Sequence, residues 1–189
     1  KHNISLGDLG LIYEKHLSGL KEEELLEKMK ELVQLINNSI KTGIKGTDYD
    51  DRILPQQSDL IDKAEKKGKI LPNALVNNII TYVTAIMESK SAMELIVANP
   101  TAGSCGTVGG VLMAVADDLK STEEDLHKAY FAAGIVGIYF ANGPGFSAEE
   151  HGCQVECGAA SGMAAAAIAQ LYGATAIQSL NAASMAIQN

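Results

Sequence analysis

Tryptophan is absent from the 189 residues, aromatic side chains make up 5% of them, and only 3 cysteines occur. Without large rings, a core must be filled by aliphatic and small side chains. Ala and Gly are abundant, and such residues let helix backbones approach closely. An odd cysteine count with no secretory h-region at the start argues against a disulfide framework. It favours a reducing compartment, so the cytoplasm is the expected location. No apolar run reaches the ~20 residues needed to span a bilayer. The longest, residues 130–141, is interrupted by Gly134 and Gly137. Basic residues are also in deficit, 15 Lys and Arg against 23 Asp and Glu, for a net charge of −8. They are not gathered into a patch, so the electropositive footprint of a nucleic-acid binder is missing. The chain opens on Lys1, not Met, so its native start is expected upstream.

What remains is an ordinary globular composition, 47% apolar and 20% charged, in a length that suits one domain. Helix is predicted almost throughout. Over residues 22–40, Leu25, Met29, Leu32, Val33, Ile36 and Ile40 fall on one stripe opposite Glu and Lys, and Gly43 reads as the stop. Ser58 opens a shorter helix that Gly68 ends, and Pro72 suits the first turn of the next. Ser121 and Glu124 frame a capping box for a helix reaching about Phe140. A small-residue helix is expected from Gly152 to Tyr172, stopped by Gly173, and Thr175 caps the last one. No alternating β-branched run is bounded by hairpin turns, so the expected class is all-α. The charged first third, to about Lys69, is expected to form an outer helical layer over an apolar core.

Two punctuated segments interrupt the helices. In Asn99-Pro-Thr-Ala-Gly-Ser-Cys-Gly106, Pro100 turns Asn99 away from helix, and Gly103 and Gly106 allow close approach to a ligand. With a helix predicted over residues 108–119, the Thr101 and Ser104 hydroxyls would feed a helix N-terminus suited to an anion such as a carboxylate. The plainer alternative is a helix–helix connection with Ser104 as N-cap. The second segment runs from Asn142 through Gly143, Gly145 and Ser147 to Gly152.

Cys153 and Cys157 lie four residues apart, on one side of a helix. Thiolate is the usual ligand of iron–sulfur clusters, but Cys is also a common core residue. Cys157, followed by Gly158, Ala159 and Ala160, is expected to pack in the core. Cys105 reads equally as ligand, packing or substrate-facing residue. Cys153 abuts the glycine-rich loop and is the preferred metal ligand of the three. His151 beside it is a candidate general base or simply a surface histidine. Glu149, Glu150 and Glu156 lack a convincing pairing, and His2, His16 and His127 read as structural residues on polar helix faces or the terminus. Dinucleotide and phosphate-binding glycine loops, a nucleophile elbow and a Schiff-base lysine context are all missing.

Asn99-Pro-Thr-Ala-Gly-Ser-Cys-Gly-Thr-Val-Gly-Gly110 resembles the Pro-Thr-x-Gly signature of iron–sulfur-dependent L-serine dehydratases. Gly152-Cys-Gln-Val-Glu-Cys-Gly-Ala-Ala-Ser-Gly-Met-Ala-Ala-Ala-Ala167 resembles their Gly-Cys-Gln-x-Glu helix with its Ser-x-Met-Ala-Ala-Ala continuation. The two occur in the family's order and spacing, and the likeness covers nearly the whole chain. It implies a [4Fe–4S] cluster held by three cysteines, with one iron open to substrate and Cys153 as one ligand. The other two ligands belong to a Cys-Asp-Pro-Val-Ala-Gly segment and a following Pro-Cys, and neither occurs in this chain. The chain is therefore expected to be a C-terminally truncated α chain or catalytic domain, which alone holds no intact cluster. Cys105 and Cys157 do not stand at the missing positions.

The implied reaction is deamination of L-serine to pyruvate and ammonia. The open iron acts as a Lewis acid on the β-hydroxyl while a base removes the α-proton. Aminoacrylate then tautomerises to an imine and hydrolyses. Thr101, Gly103, Ser104 and Asn142 are the implied substrate-binding residues. No base is assigned, His151 being the one candidate, though it stands where the family has a small residue. The loop after Asn142 likewise departs from the family's Asn-x-Ser/Thr pattern. A β domain or β subunit is the implied partner, and a homo-oligomer is compatible with the sequence. Two other readings stay open, a related iron–sulfur lyase acting on cysteine or another small hydroxy or thiol compound, and a non-catalytic helical interaction module.

Overall fold

Short polar residues set where helices begin, because the first N–H groups of a helix have no partner within it. In the computed structural model, which describes residues 4–51, 54–143 and 145–188, this rule places most boundaries. His2, Pro144 and Asn189 lie outside the described residues. The helices are α1 (Leu6–Ser18), α2 (Glu22–Lys45), α3 (Ser58–Lys66), α4 (Ala74–Ser91), α5 (Cys105–Leu119), α6 (Glu123–Asn142), α7 (Ala148–His151), α8 (Cys153–Leu171) and α9 (Ala176–Ile187). No strand occurs among the described residues, so the class is all-α as expected. No helix among them is long and apolar enough to cross a membrane.

Several boundaries differ from the sequence reading. The cap of α6 is Thr122, whose hydroxyl accepts the Asp125 N–H at 3.1 Å, not Ser121 paired with Glu124. Asn73 caps α4 by accepting the Val76 N–H at 3.1 Å, which leaves Pro72 outside the first turn. The stripe helix passes through Gly43 and ends at Lys45. Gly43 serves contact, not termination. A Cβ there would collide with the Ala85 carbonyl, so its hydrogen is what lets α2 lie directly on α4. α5 also starts earlier than expected, at Cys105.

Leu25, Ile36 and Ile40 of the predicted stripe are buried and Met29 and Val33 pack against the core, whereas Leu32 is 41% exposed. The core is built mainly from α5, α6 and α8, through Val108, Leu112, Ala129, Val136, Ala160 and Ala167. α4 packs on α5, α1 on α6, and α9 on α8. With no side chain larger than Ala on much of α8, that helix lies close between α6 and α5. This close packing brings the start of α8 to the loop that precedes α5.

His127 corrects the expectation of a polar helix face, being only 6% exposed with no partner for its Nε2. His16 does lie on an exposed face of α1.

Candidate functional site

The loop before α5 and the first turn of α8 meet through side chains 55 positions apart. The Thr101 hydroxyl donates to the Glu156 carboxylate in a short hydrogen bond. Thr101 Oγ1 also accepts the Ser104 N–H at 3.2 Å and lies 3.0 Å from Ser104 Oγ. Ser104 Oγ in turn donates to the Asn99 carbonyl at 3.2 Å. Ser104 stands at the N-cap position of α5 but makes no side-chain bond to the helix N–H groups. Its hydroxyl is committed to the loop, so the plain capping role does not account for it.

Gly103 is held under the same carboxylate. A Cβ built there would meet the Glu156 oxygens at 2.5 and 2.7 Å. Ala102 and Gly103 are exposed, and among the described residues their N–H groups have no acceptor. Two exposed backbone donors without an acceptor on a glycine turn are groups that a ligand oxygen could accept from, beside the Glu156 carboxylate.

Cys153 is the first residue of α8 and is exposed. Gly152 before it has φ +88°, in the left-handed region, which lets the chain turn sharply out of α7 into α8. Cys157, one turn on, is also exposed, contrary to the expected core position. The buried side of α8 begins at Ala159 and Ala160, and Cys157 shares the solvent side with Cys153. Cys105 is 1% exposed, with its Sγ 3.9 Å from Met87 Sδ, and burial pushes its thiol pKa up. Of its three possible roles, the structure gives it packing.

Among the described residues no three Cys, His, Asp or Glu side chains converge as a metal site. Cys153 and Cys157 are the exposed thiols, and by themselves they do not make a complete ligand set for a metal cluster.

A family model described as serine dehydratase alpha chain matches residues 1–189. The chain belongs to the serine dehydratase alpha chain family. A probable L-serine dehydratase alpha chain of Bacillus subtilis (strain 168) is 31% identical over 186 residues, 98% of this chain and 62% of that protein. The L-serine dehydratase alpha chain of Peptoniphilus asaccharolyticus is 27% identical over 190 residues, 100% of this chain and 65% of its own length. A probable L-serine dehydratase alpha chain of Latilactobacillus sakei is 37% identical over 120 residues, 64% of this chain and 55% of that protein. The chain therefore spans a little under two thirds of the first two relatives.

Within this chain, Thr101, Gly103 and Ser104 come together as one loop. Asn142 does not join them by any hydrogen bond, since its Nδ2 donates to the Ile138 carbonyl of its own helix at 3.1 Å. His151 ends α7, directly before the Cys153 turn. Its side chain is 43% exposed and its Nε2 lies 3.7 Å from Glu150 Oε2. Glu149 is occupied by Ser147, whose hydroxyl donates to it at 2.6 Å. Glu156, which the sequence left without a pairing, finds its partner in Thr101. Its signal was present in the spacing: three residues after Cys153 it falls on the next turn of the same helix. Which residue it meets across the fold was not visible in the spacing.

Proposed function

We propose that this chain is part of an L-serine dehydratase that deaminates L-serine to pyruvate and ammonia. The observation that carries the reading is the contact between its two signature segments, Thr101 on the glycine loop and Glu156 on the Cys153 helix. The substrate carboxylate is received by the exposed loop, through the Ala102 and Gly103 N–H groups, while Thr101 and Ser104, also assigned to the substrate site by the family resemblance, shape the loop through their own hydrogen bonds. Asn142, the last residue of α6, is assigned to the substrate as well, from the family resemblance.

Cys153 is proposed to hold one iron of a [4Fe–4S] cluster, whose other ligands lie outside this chain. When bound, that cluster supplies Lewis-acid polarisation of the substrate β-hydroxyl. The chain's own contribution is to orient the substrate by its carboxylate and to keep the Cys153 turn beside the loop. The base that takes the α-proton is left unassigned. His151 is the nearest candidate in sequence, and a β domain or β subunit is the proposed partner that completes the site. The cytoplasm is the proposed location.

Cys153→Ala in the full-length protein with its β part is expected to abolish both the broad iron–sulfur absorbance and serine turnover. Cys157→Ala is expected to leave iron content near that of the parent. Retention of absorbance and turnover in Cys153→Ala would falsify the ligand assignment, and loss of iron in Cys157→Ala alone would transfer it. Comparing L-serine with L-cysteine as substrates separates this reading from a related lyase.

A further inference from the structure

Glu156 is spent neither on an ion pair nor on the helix that carries it. Among the described residues no Lys, Arg or His pairs with it, and its one hydrogen bond crosses to Thr101. Its carboxylate also lies over Gly103, where any larger residue would push it away. From Thr101 the bonding continues through Ser104 to the Asn99 carbonyl, so one side chain of α8 is linked to both ends of the loop.

We infer that Glu156 is a positioning residue that fixes the 99–104 loop in register with the Cys153 turn, so that both move as one unit. The inference rests on the proposed function for the meaning of the two ends, substrate at the loop and iron at Cys153. The tie itself rests on geometry alone. Three features make the loop depend on it. The turn at Ala102 and Gly103 is exposed and its N–H groups are unbonded, so little else restrains it. Ser104, buried at the start of α5, and the Asn99 N–H tie the loop only to itself, and neither reaches α8. Glu156 is one helical turn from Cys153, and a helix transmits displacement over that distance as a rigid body. A loop with so few anchors sits at the low-stability end of the molecule unless such a tie restrains it.

The test uses the full-length protein with its β part and four variants: Glu156→Ala, Glu156→Gln, Thr101→Val, and the Glu156→Ala/Thr101→Val double. Amide hydrogen exchange at the loop's bonded amides Asn99 and Thr107, whose backbone acceptors no variant removes, is read on protein prepared without iron, so the measurement does not depend on turnover. Exchange is expected to quicken about tenfold or more in Glu156→Ala and in Thr101→Val, as loss of a hydrogen bond to a charged group implies. The double variant is expected to go no further than Thr101→Val, because that change already cuts the Glu156 bond along with the one from the Ser104 N–H. Glu156→Gln, whose amide oxygen still accepts the Thr101 hydroxyl, is expected to stay within about threefold of the parent. In iron-loaded protein, Glu156→Ala is expected to raise KM for L-serine about tenfold with kcat within about twofold, and with iron per chain unchanged.

Unchanged loop exchange in Glu156→Ala, additive loosening in the double variant, or a Gln variant as loose as the Ala variant would each overturn the inference. Should the parent protein turn over no serine while the variants loosen as expected, the tie stands and the substrate assignment falls.

Discussion

Glu88 and Glu156 both hold a loop against a helix, yet their carboxylates are differently satisfied. Glu88 of α4 is 1% exposed and accepts the Gln57 N–H at 2.6 Å, the Ser58 N–H at 3.0 Å and the Ser58 hydroxyl at 2.7 Å. It caps α3 from outside, supplying the acceptor that Gln57, with no side-chain cap bond, does not. Glu156 is only partly buried and takes one hydroxyl. The difference separates structure from function. A carboxylate saturated by protein donors has nothing left to offer a ligand. One with spare acceptor capacity beside unbonded N–H groups sits where binding can change something.

Removing each group in turn can break that contrast. Glu88→Ala strands the Gln57 and Ser58 N–H groups, leaving the Ser58 hydroxyl only the Gly43 carbonyl at 3.3 Å, and is expected to cost about 3 kcal/mol or more of unfolding free energy in urea titration. A loss as small as a surface substitution gives would mean the staple is redundant. Glu156→Ala is expected to cost about 1.5 kcal/mol by the same measurement, the low end for a bond to a charged group, because its single bond is partly solvated. If the two losses were equal, the division between a structural and a positioning carboxylate would fail.

A third buried group extends the series to no partner at all. Burial, more than its charged neighbours Glu123, Lys30 and Glu27, holds the His127 pKa below the usual histidine value. The folded state therefore prefers the neutral ring. Stability is complete above the unfolded value of about 6.5 and declines as pH falls through it towards the lower folded pKa. Thermal unfolding followed from pH 7.5 to 5 is expected to show this decline, and His127→Leu to reduce its slope. An unchanged slope in the variant would place the pH dependence elsewhere. This is the smallest effect of the three, since Glu123 and Glu27 partly offset the burial.

How much of this was legible in the sequence depends on the range of the interaction involved. Local signals worked: the stops and caps at Gly68, Gly173 and Thr175 stand where expected, and the small-residue helix was read nearly to its ends. Where two local signals overlap, the sequence cannot choose. Ser121 with Glu124 and Thr122 with Asp125 both spell a capping box one residue apart, and the fold uses the second. Gly43 misled for another reason, since a glycine needed for contact with a distant helix looks the same as one needed for a stop. Cys157 and His127 were misplaced because helical phase tells which residues share a face, not which face the rest of the fold covers. In the site, the resemblance named Thr101, Gly103, Ser104 and Cys153, but the partner that joins loop to helix is a long-range contact. Only the fold displays it.

The three thiols give the chain its own gauge of opening. Cys153 and Cys157 face solvent, while Cys105 is enclosed at the root of α5. An alkylating reagent thus meets two quick sites and one that reacts only when the helical core parts, and the slow third label times that parting. The same arrangement means that oxidative ageing in air strikes first at the end of the molecule where iron is proposed to bind, long before the interior is disturbed.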